Sequence, residues 1–312
     1  MAHPRRFRFG LKFRATKDGA QLADLARRAE SLGYSTILVS DHPTHPQLAP
    51  LTAAAALACA TTRLRVGSSV LANDFRHPIV LAKEIATLDR ISGGRVELGL
   101  GTGWKKAEYE AMGLEFDAAS QRIERLREAI GILRGFWSGE SYALDRKHYS
   151  IRDVVGFPTP VQNPLPILIG GGGKKVLSLA AQTADIVGIN PAARSGAHDL
   201  ETDLDSTEEA TAEKVRWIAE AAGTRMAELE LCMQVYADAV TESRAEADQV
   251  LSKRYAFPLE LSRRVPYAWI GSVGQICDSL EANRERWGVS YWVVPEHAME
   301  SLAPVVARLS GR

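Results

Sequence analysis

The fold is decided by residues 64–100, which read LRVGSSVLANDFRHPIVLAKEIATLDRISGGRVELGL. Residues 64–71 are rich in aliphatic and β-branched side chains and predict a strand. Apolar residues then recur at helical spacing over 78–91, where a proline suits the first helical position and Gly93-Gly94 suits the end. Residues 95–100 predict the next strand. A strand followed by a turn and a helix is one βα unit.

The βα unit recurs along the whole chain. Strands are predicted at residues 7–13, 36–40, 64–71, 95–100, 167–169, 185–189, 229–237 and 289–294. Eight strands that alternate with helices, without a shift in composition, favour a closed parallel barrel over an open doubly wound sheet. We therefore predict an α/β fold in which residues 1–312 form a single (β/α)₈ TIM barrel. Three segments interrupt the pattern and are expected to be insertions, the first of them a hairpin: about 139–166, 191–207 and 256–270.

The composition predicts a soluble folded protein with a small-molecule ligand. Of the 312 residues, 46% are hydrophobic and 24% are charged, which is the usual globular mixture. Because 38 basic residues balance 38 acidic residues, no net charge would attract nucleic acid or an anionic membrane. The longest apolar run, 48–60, is too short to span a membrane, and residues 1–9 lack a signal-peptide pattern, so we expect a cytoplasmic protein. Cys59, Cys232 and Cys277 have no CxxC spacing and predict neither a disulfide nor a zinc site.

In a TIM barrel the active-site residues follow the strands. Asp41, His42 and His45 follow the second predicted strand. A neutral imidazole with a neighbouring carboxylate to orient it can transfer a proton near neutral pH. Two alternatives stay open: Asp41 forms an Asx turn beside a packed His42, or His42 and His45 bind a metal as in barrel hydrolases. The metal is disfavoured, because no comparable His/Asp pair follows a later strand.

Glycines lie within the third predicted strand and follow the fourth and fifth. Gly67 and the two serines after it leave room for a flat ring, although a bulge would need the same residues. The glycines at 101 and 103 let backbone N–H groups lie close to a ligand. Four glycines at 170–173 lead into a helix and predict an anion site, to which Lys174 adds positive charge. A phosphate is the expected occupant.

Together these strand ends resemble the luciferase-like superfamily, and within it the oxidoreductases that use the deazaflavin coenzyme F420. The resemblance covers nearly the whole chain, and its specificity lies in the order of the motifs. They are VSDH at 39–42, VGSSV at 66–70, FRHP at 75–78, TLDRISGGR at 87–95, GLGTGW at 99–104, GFPTPVQ at 156–162 and GGGG at 170–173.

The resemblance implies a cofactor and roles for particular residues. Coenzyme F420 is the expected cofactor, with FMN as the alternative, and a homodimer is implied as well. His42 and Asp41 would be the catalytic pair beside the cofactor ring, with His42 handling the proton. The Ser69-Val70 peptide bond would be cis and would form a bulge behind the ring. The residues expected to bind the cofactor are Ser69, Val70, Gly101, Thr102, Gly103, Gly170, Gly171, Gly172, Gly173 and Lys174.

One position departs from the family pattern. In the sugar-phosphate dehydrogenases of the superfamily a glutamate follows the Gly-Thr-Gly turn and assists the proton chemistry, whereas Trp104 stands there in this chain. The acid role is therefore left without a residue, and glucose 6-phosphate is not predicted as the substrate. Trp104, His45 and Trp269 are expected to line the substrate pocket.

Four functions are consistent with these residues, the last of them a flavin-binding barrel without turnover. The first is hydride transfer between F420 and a small organic molecule, by C=C or C=N reduction or by alcohol oxidation, with the proton handled by His42. The second is an FMN-dependent monooxygenase. The third, and least favoured, is a metal-dependent hydrolase at the same end of the barrel.

Overall fold

The computed structural model describes residues 5–14, 17–193, 195–196 and 199–312. The strands are β1 (Arg8–Phe13), β2 (Thr36–Val39), β3 (Arg65–Ser68), β4 (Leu71–Ala72), β5 (Val96–Gly101), β6 (Ser141–Asp145), β7 (Ser150–Val155), β8 (Ile167–Gly171), β9 (Ile186–Ile189), β10 (Glu230–Gln234), β11 (Ala237–Val240), β12 (Ala268–Gly271) and β13 (Val289–Pro295). The α-helices are α1 (Gly19–Ser31), α2 (Pro50–Ala60), α3 (Pro78–Ser92), α4 (Lys106–Ala111), α5 (Ala119–Trp137), α6 (Lys174–Thr183), α7 (Leu200–Leu204), α8 (Glu208–Ala222), α9 (Arg244–Arg254), α10 (Leu259–Ser262), α11 (Val273–Trp287) and α12 (Ala303–Leu309).

The main sheet closes on itself as a parallel barrel. Its nine segments run in the order β3-β2-β1-β13-β10-β9-β8-β5-β4, and β3 also pairs with β5. β3 and β4 are two parts of one barrel strand, interrupted at Ser69 and Val70, so the barrel has eight strands. The predicted (β/α)₈ barrel is confirmed.

Local sequence sets the ends of the helices. Pro78 lies in the first turn of α3, where no hydrogen-bond donor is needed, and His77 caps that turn by accepting a hydrogen bond from the Ile79 amide at Nδ1, 3.3 Å away. The same helix ends at Gly93, whose φ of +68° lies in the left-handed region that favours glycine. These caps fix where the chain leaves α3 and enters β5.

β1 shows how each strand divides its residues between two layers. Phe9, Leu11 and Phe13 are fully buried in the main hydrophobic core under the helices. Arg8 and Lys12, at the alternate positions, face the lumen of the barrel, as the side-chain alternation of a strand requires. The lumen of the barrel is therefore polar at both ends.

The amino end of the lumen holds an ion-paired layer formed by Arg8, Arg65, Glu97 and Glu230. Arg8 lies 2.6 Å from an oxygen of Glu97 and 2.6 Å from an oxygen of Glu230, and Arg65 lies 2.6 Å from Glu97. Burial raises the pKa of Glu97, but the two arginines outweigh burial and hold the pKa below its ordinary value. We call these four residues the amino-end layer. The apolar side chains that fill the rest of the lumen are Leu38, Leu168, Ile186, Cys232, Tyr291 and Val293.

The three segments predicted as insertions contain regular structure. Within 139–166, β6 and β7 form an antiparallel hairpin. The segment 191–207 carries α7, and 256–270 carries α10 and the first residues of β12. The seventh predicted strand, 229–237, corresponds to β10, and a further strand that was not predicted, β11, begins at its last residue and pairs in parallel with β12. Over the parts of the chain that are described, none of the helices combines the length and the apolar composition that crossing a membrane requires.

Candidate active site

His42 lies at the carboxyl end of the barrel, three residues after β2, and forms a pair with Glu108. Its Nδ1 atom is 2.9 Å from one carboxylate oxygen of Glu108 and 3.1 Å from the other. Glu108 lies in α4, which the Gly-Thr-Gly turn after β5 places over the barrel, and its side chain is only 4% exposed. A carboxylate this deeply buried needs a donor, and the imidazole provides one. We refer to the carboxyl end of the barrel around this pair as the mouth.

The neighbours of His42 select one tautomer of its ring. Glu108 accepts a hydrogen bond, so Nδ1 carries the proton, and the Nε2 lone pair faces Arg14 Nη2 at 3.4 Å. Burial lowers the pKa of His42, and Arg14 and Lys12 lower it further, while Glu108 raises it; the net shift is downward. The ring is therefore neutral at neutral pH and presents a basic nitrogen at Nε2.

Asp41 does not orient His42, which corrects the expectation drawn from their adjacency. Both oxygens of Asp41 bind Arg76, at 2.6 and 3.0 Å, and one also accepts the Ala72 amide at 3.1 Å. Ala72 belongs to β4, directly after the interruption of the third barrel strand. Asp41 thus fixes the backbone of that interruption, and Glu108 is the carboxylate that holds the imidazole.

His45 and Trp104, both predicted to line the substrate pocket, lie beside His42. The rings of His42 and His45 are stacked with their centroids 5.0 Å apart, and Trp104 meets His42 edge-on at 6.2 Å. The Trp104 side chain is a large hydrophobic that remains 42% exposed. Exposed aromatic surface beside a basic nitrogen is suited to contact an organic ligand.

His42, His45 and Glu108 also place three possible metal-ligand atoms within 4.8 Å of one another. Lys105 lies against this cluster: its Nζ is 3.6 Å from a Glu108 oxygen and contacts Nε2 of His45. A cation therefore already neutralises the carboxylate at the place where a metal would bind. The arrangement favours proton chemistry over metal-dependent hydrolysis.

The bulge residues Ser69 and Val70 sit at the floor of the mouth. The peptide bond between them is cis, as the resemblance implies. A Cβ at Gly101 would lie 2.8 Å from Val70 Cγ2, and a Cβ at Gly170 would lie 3.2 Å from Val70 Cγ1. These two glycines therefore make room for the bulge, which is a different reason for glycine from direct contact with a ligand.

Thr102 and Gly103 form a turn that is held in place by side chains from the helices that follow it. Gly103 has φ +74°, and a Cβ there would collide with the Tyr109 hydroxyl, so only glycine fits. The Tyr109 hydroxyl donates to the Thr102 carbonyl at 3.3 Å, and Arg122 donates to the same carbonyl. The turn is thus a rigid edge between β5 and the helix that carries Glu108.

The run 170–174 joins β8 to α6. Gly170 and Gly171 end the strand, and Gly172 packs so closely on the backbone of Asn190 and Ala192 that no side chain fits. Gly173 caps α6 without a side-chain hydrogen bond, and a Cβ there would meet nothing within 4 Å. The helix N terminus is therefore open to an anion. Lys174 turns away toward Glu220 on α8, 4.0 Å from it, so its backbone rather than its ammonium faces that opening.

Trp269 does not belong to the mouth, which corrects its assignment to the substrate pocket. It is only 2% exposed and packs against Phe9 at 5.9 Å and Trp292 at 5.5 Å, in the layer between barrel and helices. The cleft that it borders lies between α9 and α11, on the outer side of the barrel.

Several polar residues of the mouth were not predicted from the sequence. Lys12 donates to Gln234 at 2.6 Å, and Gln234 in turn donates to Ser69 Oγ and to Asn190 Oδ1, each at 3.3 Å. Tyr236 donates to the same Asn190 oxygen at 2.9 Å. The available signal was a polar side chain at the last inward-facing position of an apolar strand, which is where barrel side chains reach the mouth.

The profile of the luciferase-like monooxygenase family matches residues 7–305. The chain belongs to this family. Among curated relatives, the F420-dependent glucose-6-phosphate dehydrogenase of Microbacterium testaceum is 37% identical over 187 residues, which is 57% of this chain and 55% of that protein. The enzyme of the same name from Nakamurella multipartita is 34% identical over 191 residues, 58% of this chain and 56% of that protein. The chain spans about half the length of the curated relatives that it matches.

Solved structures with the same fold cover the whole barrel. The F420-dependent tetrahydromethanopterin reductase of Methanopyrus kandleri superposes with a TM-score of 0.79 at 19% identity, over 98% of this chain and 100% of that one. An F420-dependent secondary alcohol dehydrogenase, solved with an F420-acetone adduct, gives a TM-score of 0.76 at 16% identity, over 98% and 99%. At these identities the likeness establishes the luciferase-like barrel fold.

Proposed function

We propose that this protein is an oxidoreductase that transfers a hydride between coenzyme F420 and a small organic alcohol or the corresponding carbonyl compound. The observation that carries the proposal is the neutral imidazole of His42, with Nδ1 bound to Glu108 and a basic Nε2 in the mouth. A base of this kind is what oxidation of an alcohol needs, since the hydroxyl proton must leave as the hydride leaves. The names of the curated relatives and of two structural neighbours support F420 as the hydride carrier.

The residues of the mouth fit the proposed cofactor. The open N terminus of α6 at Gly173 is suited to a phosphate, and the bulge at Ser69 and Val70 offers a flat support for a ring. The rigid turn at Thr102 and Gly103 lies between these two places in barrel order. When bound there, the deazaflavin accepts or donates a hydride, chemistry that no amino-acid side chain supplies.

In this proposal His42 and Glu108 act as one unit. His42 takes the hydroxyl proton at Nε2, and the resulting imidazolium is stabilised by the carboxylate that already accepts the Nδ1 proton. Burial keeps the ring unprotonated before substrate binds by lowering its pKa, and the nearby positive charges of Arg14 and Lys12 act in the same direction. Glu108, four residues after Trp104, thus supplies the carboxylate for the acid role that the family resemblance left without a residue.

The test is cofactor identification with the purified protein. We expect F420 to bind, seen as a change in its fluorescence and absorbance, and to be reduced when alcohols of increasing size are supplied without oxygen. The matched comparison is FMN under the same conditions. Binding of FMN without binding of F420 would overturn the proposal in favour of a flavin monooxygenase.

The cluster of His42, His45 and Glu108 motivates a second arm of the experiment. Activity on alcohols should survive treatment with a chelator and should not rise on addition of zinc. A stoichiometric metal whose removal abolishes the activity would replace the proposal with a metal-dependent reaction.

A further inference from the structure

Lys12 lies in the barrel lumen, where its side chain binds a neutral amide. It lies four residues beyond Arg8 on β1, roughly 13 Å along the strand, and faces the same lumen. Whereas Arg8 binds two carboxylates, Lys12 Nζ donates at 2.6 Å to the neutral amide oxygen of Gln234. Across the residues with assigned positions, no ion pair to a carboxylate is formed by Lys12. A cation in such a place is stabilised when a ligand brings negative charge to it.

The hydrogen bonds of Gln234 connect Lys12 to the floor of the mouth. Gln234 accepts from Lys12 and donates to Ser69, which is half of the bulge. Lys12 therefore lies one side chain away from the surface on which the proposed cofactor ring would rest. It is also near enough to His42 to lower the pKa of that imidazole.

The charges around Lys12 make its protonation sensitive to a ligand. Burial lowers its pKa to about 7, and Arg14 contributes in the same direction. The ammonium and amine forms are thus close in free energy at neutral pH. An anion at the floor of the mouth would favour the ammonium.

We propose that Lys12 binds the negative charge that the cofactor ring acquires when it accepts a hydride, and so favours the reduced cofactor. The inference rests on the proposed function. In alcohol oxidation the substrate C–H bond breaks and a C–H bond forms on the ring. Because the hydride brings its electron pair to the ring, the ring gains one negative charge. The hydroxyl proton goes to His42. Two charges are created, and each meets a counter-ion: the imidazolium meets Glu108 and the ring meets Lys12. Charge near the ring nitrogens is a recognised way for a protein to tune such a cofactor.

The experiment compares the affinities for oxidised and reduced F420 and the midpoint potential of the bound cofactor. In Lys12→Met we expect the reduced form to bind roughly tenfold more weakly relative to the oxidised form, which lowers the midpoint potential of this two-electron couple by about 30 mV. Lys12→Arg keeps the positive charge, so the midpoint potential should stay close to that of the parent protein. Lys83→Met, which removes an exposed lysine from α3, is the matched control and should change nothing.

The possible results separate the inference from the proposed function. An unchanged potential in Lys12→Met, with both cofactor forms bound as in the parent protein, overturns the role of Lys12 and leaves the proposed function standing. The same holds if only the substrate KM changes, since Lys12 would then bind the substrate. If the parent protein binds no F420, both fail. Lys12→Gln, which can still bond to Gln234, provides a second variant should Lys12→Met not fold.

Discussion

Both ends of the barrel lumen carry charged side chains, but the charges are balanced at the amino end and unbalanced in the mouth. In the amino-end layer Arg8 and Arg65 face Glu97 and Glu230 at 2.6 Å, and every cation has its carboxylate. In the mouth His42 pairs with Glu108, but Lys12 donates to the neutral amide of Gln234 and Arg14 faces Nε2 of His42. A balanced layer holds the strands in register, whereas an unbalanced one is ready for a ligand that brings charge. This division follows the general rule that the carboxyl end of a TIM barrel carries the chemistry.

The largest effect is expected from breaking the amino-end layer. Glu97→Ala leaves two partly buried guanidinium groups without their shared partner and should lower the free energy of unfolding by about 3 kcal/mol. Because the pKa of Glu97 is held below its ordinary value, its contribution to stability is present near pH 7 and is lost as pH falls through that lowered pKa. Urea denaturation measures both effects, with Glu84→Ala, an exposed site on α3, as control. An equal loss from both variants would show that the layer is not structural.

Breaking the pair of His42 and Glu108 in the mouth should lower the rate of the reaction and change the stability of the protein little. Glu108→Gln keeps the shape of the side chain but removes the charge that stabilises the imidazolium, so kcat/KM for alcohol oxidation should fall by roughly 10²-fold. The urea midpoint should move much less than in Glu97→Ala. Steady-state kinetics with F420 measures this, and a variant with the activity of the parent protein would show that His42 needs no counter-ion.

The pH dependence of kcat/KM tests how the unbalanced charges of the mouth act on His42. His42 acts as a base only when neutral, so kcat/KM should fall about tenfold per pH unit below the pKa of His42, which lies under its ordinary value of about 6.5. Arg14→Met removes a charge that lowers this pKa and should move the falling limb toward higher pH. A limb that stays in place would mean that another group controls the profile.

The smallest effect is expected from His45. Its side chain is 43% exposed and stacks on His42 without holding either ring nitrogen of that residue. His45→Gln should therefore lower kcat/KM by less than roughly tenfold, or about 1.4 kcal/mol. A loss as large as that of Glu108→Gln would place His45 in the proton path.

The sequence predicted the barrel because strand and helix periodicity is local. The helix predicted at 78–91 is α3, Pro78–Ser92, since proline and glycine mark its ends. The interruption between β3 and β4 was expected from the family resemblance and not from periodicity, and the separation of β11 from β10 was not predicted. Both depend on which neighbouring strand the chain pairs with.

The candidate site was predicted only in part, for a related reason. His42, His45 and Trp104 do meet in the mouth, as their positions after strands suggested. Asp41 was preferred as the partner of His42 because it is adjacent in sequence, but adjacency at a strand end sends side chains in different directions. Glu108 comes from 66 residues further along the chain and reaches His42 only through the packing of α4 over the barrel. The spacing of apolar residues does not reveal a contact between residues so far apart in the chain, and it does not show that Trp269 faces the helices.

The most direct test of the account is the rate of F420 reduction by an alcohol in a single turnover, measured for the parent protein and for His42→Ala. The account predicts a roughly 10³-fold slower reduction in the variant, because the proton loses its acceptor at Nε2. The Kd for F420 should change by less than about twofold, which is under 0.5 kcal/mol. Reduction at the same rate in both proteins, with the cofactor bound equally well, would contradict the assignment of the mouth as the place where His42 accepts the substrate proton.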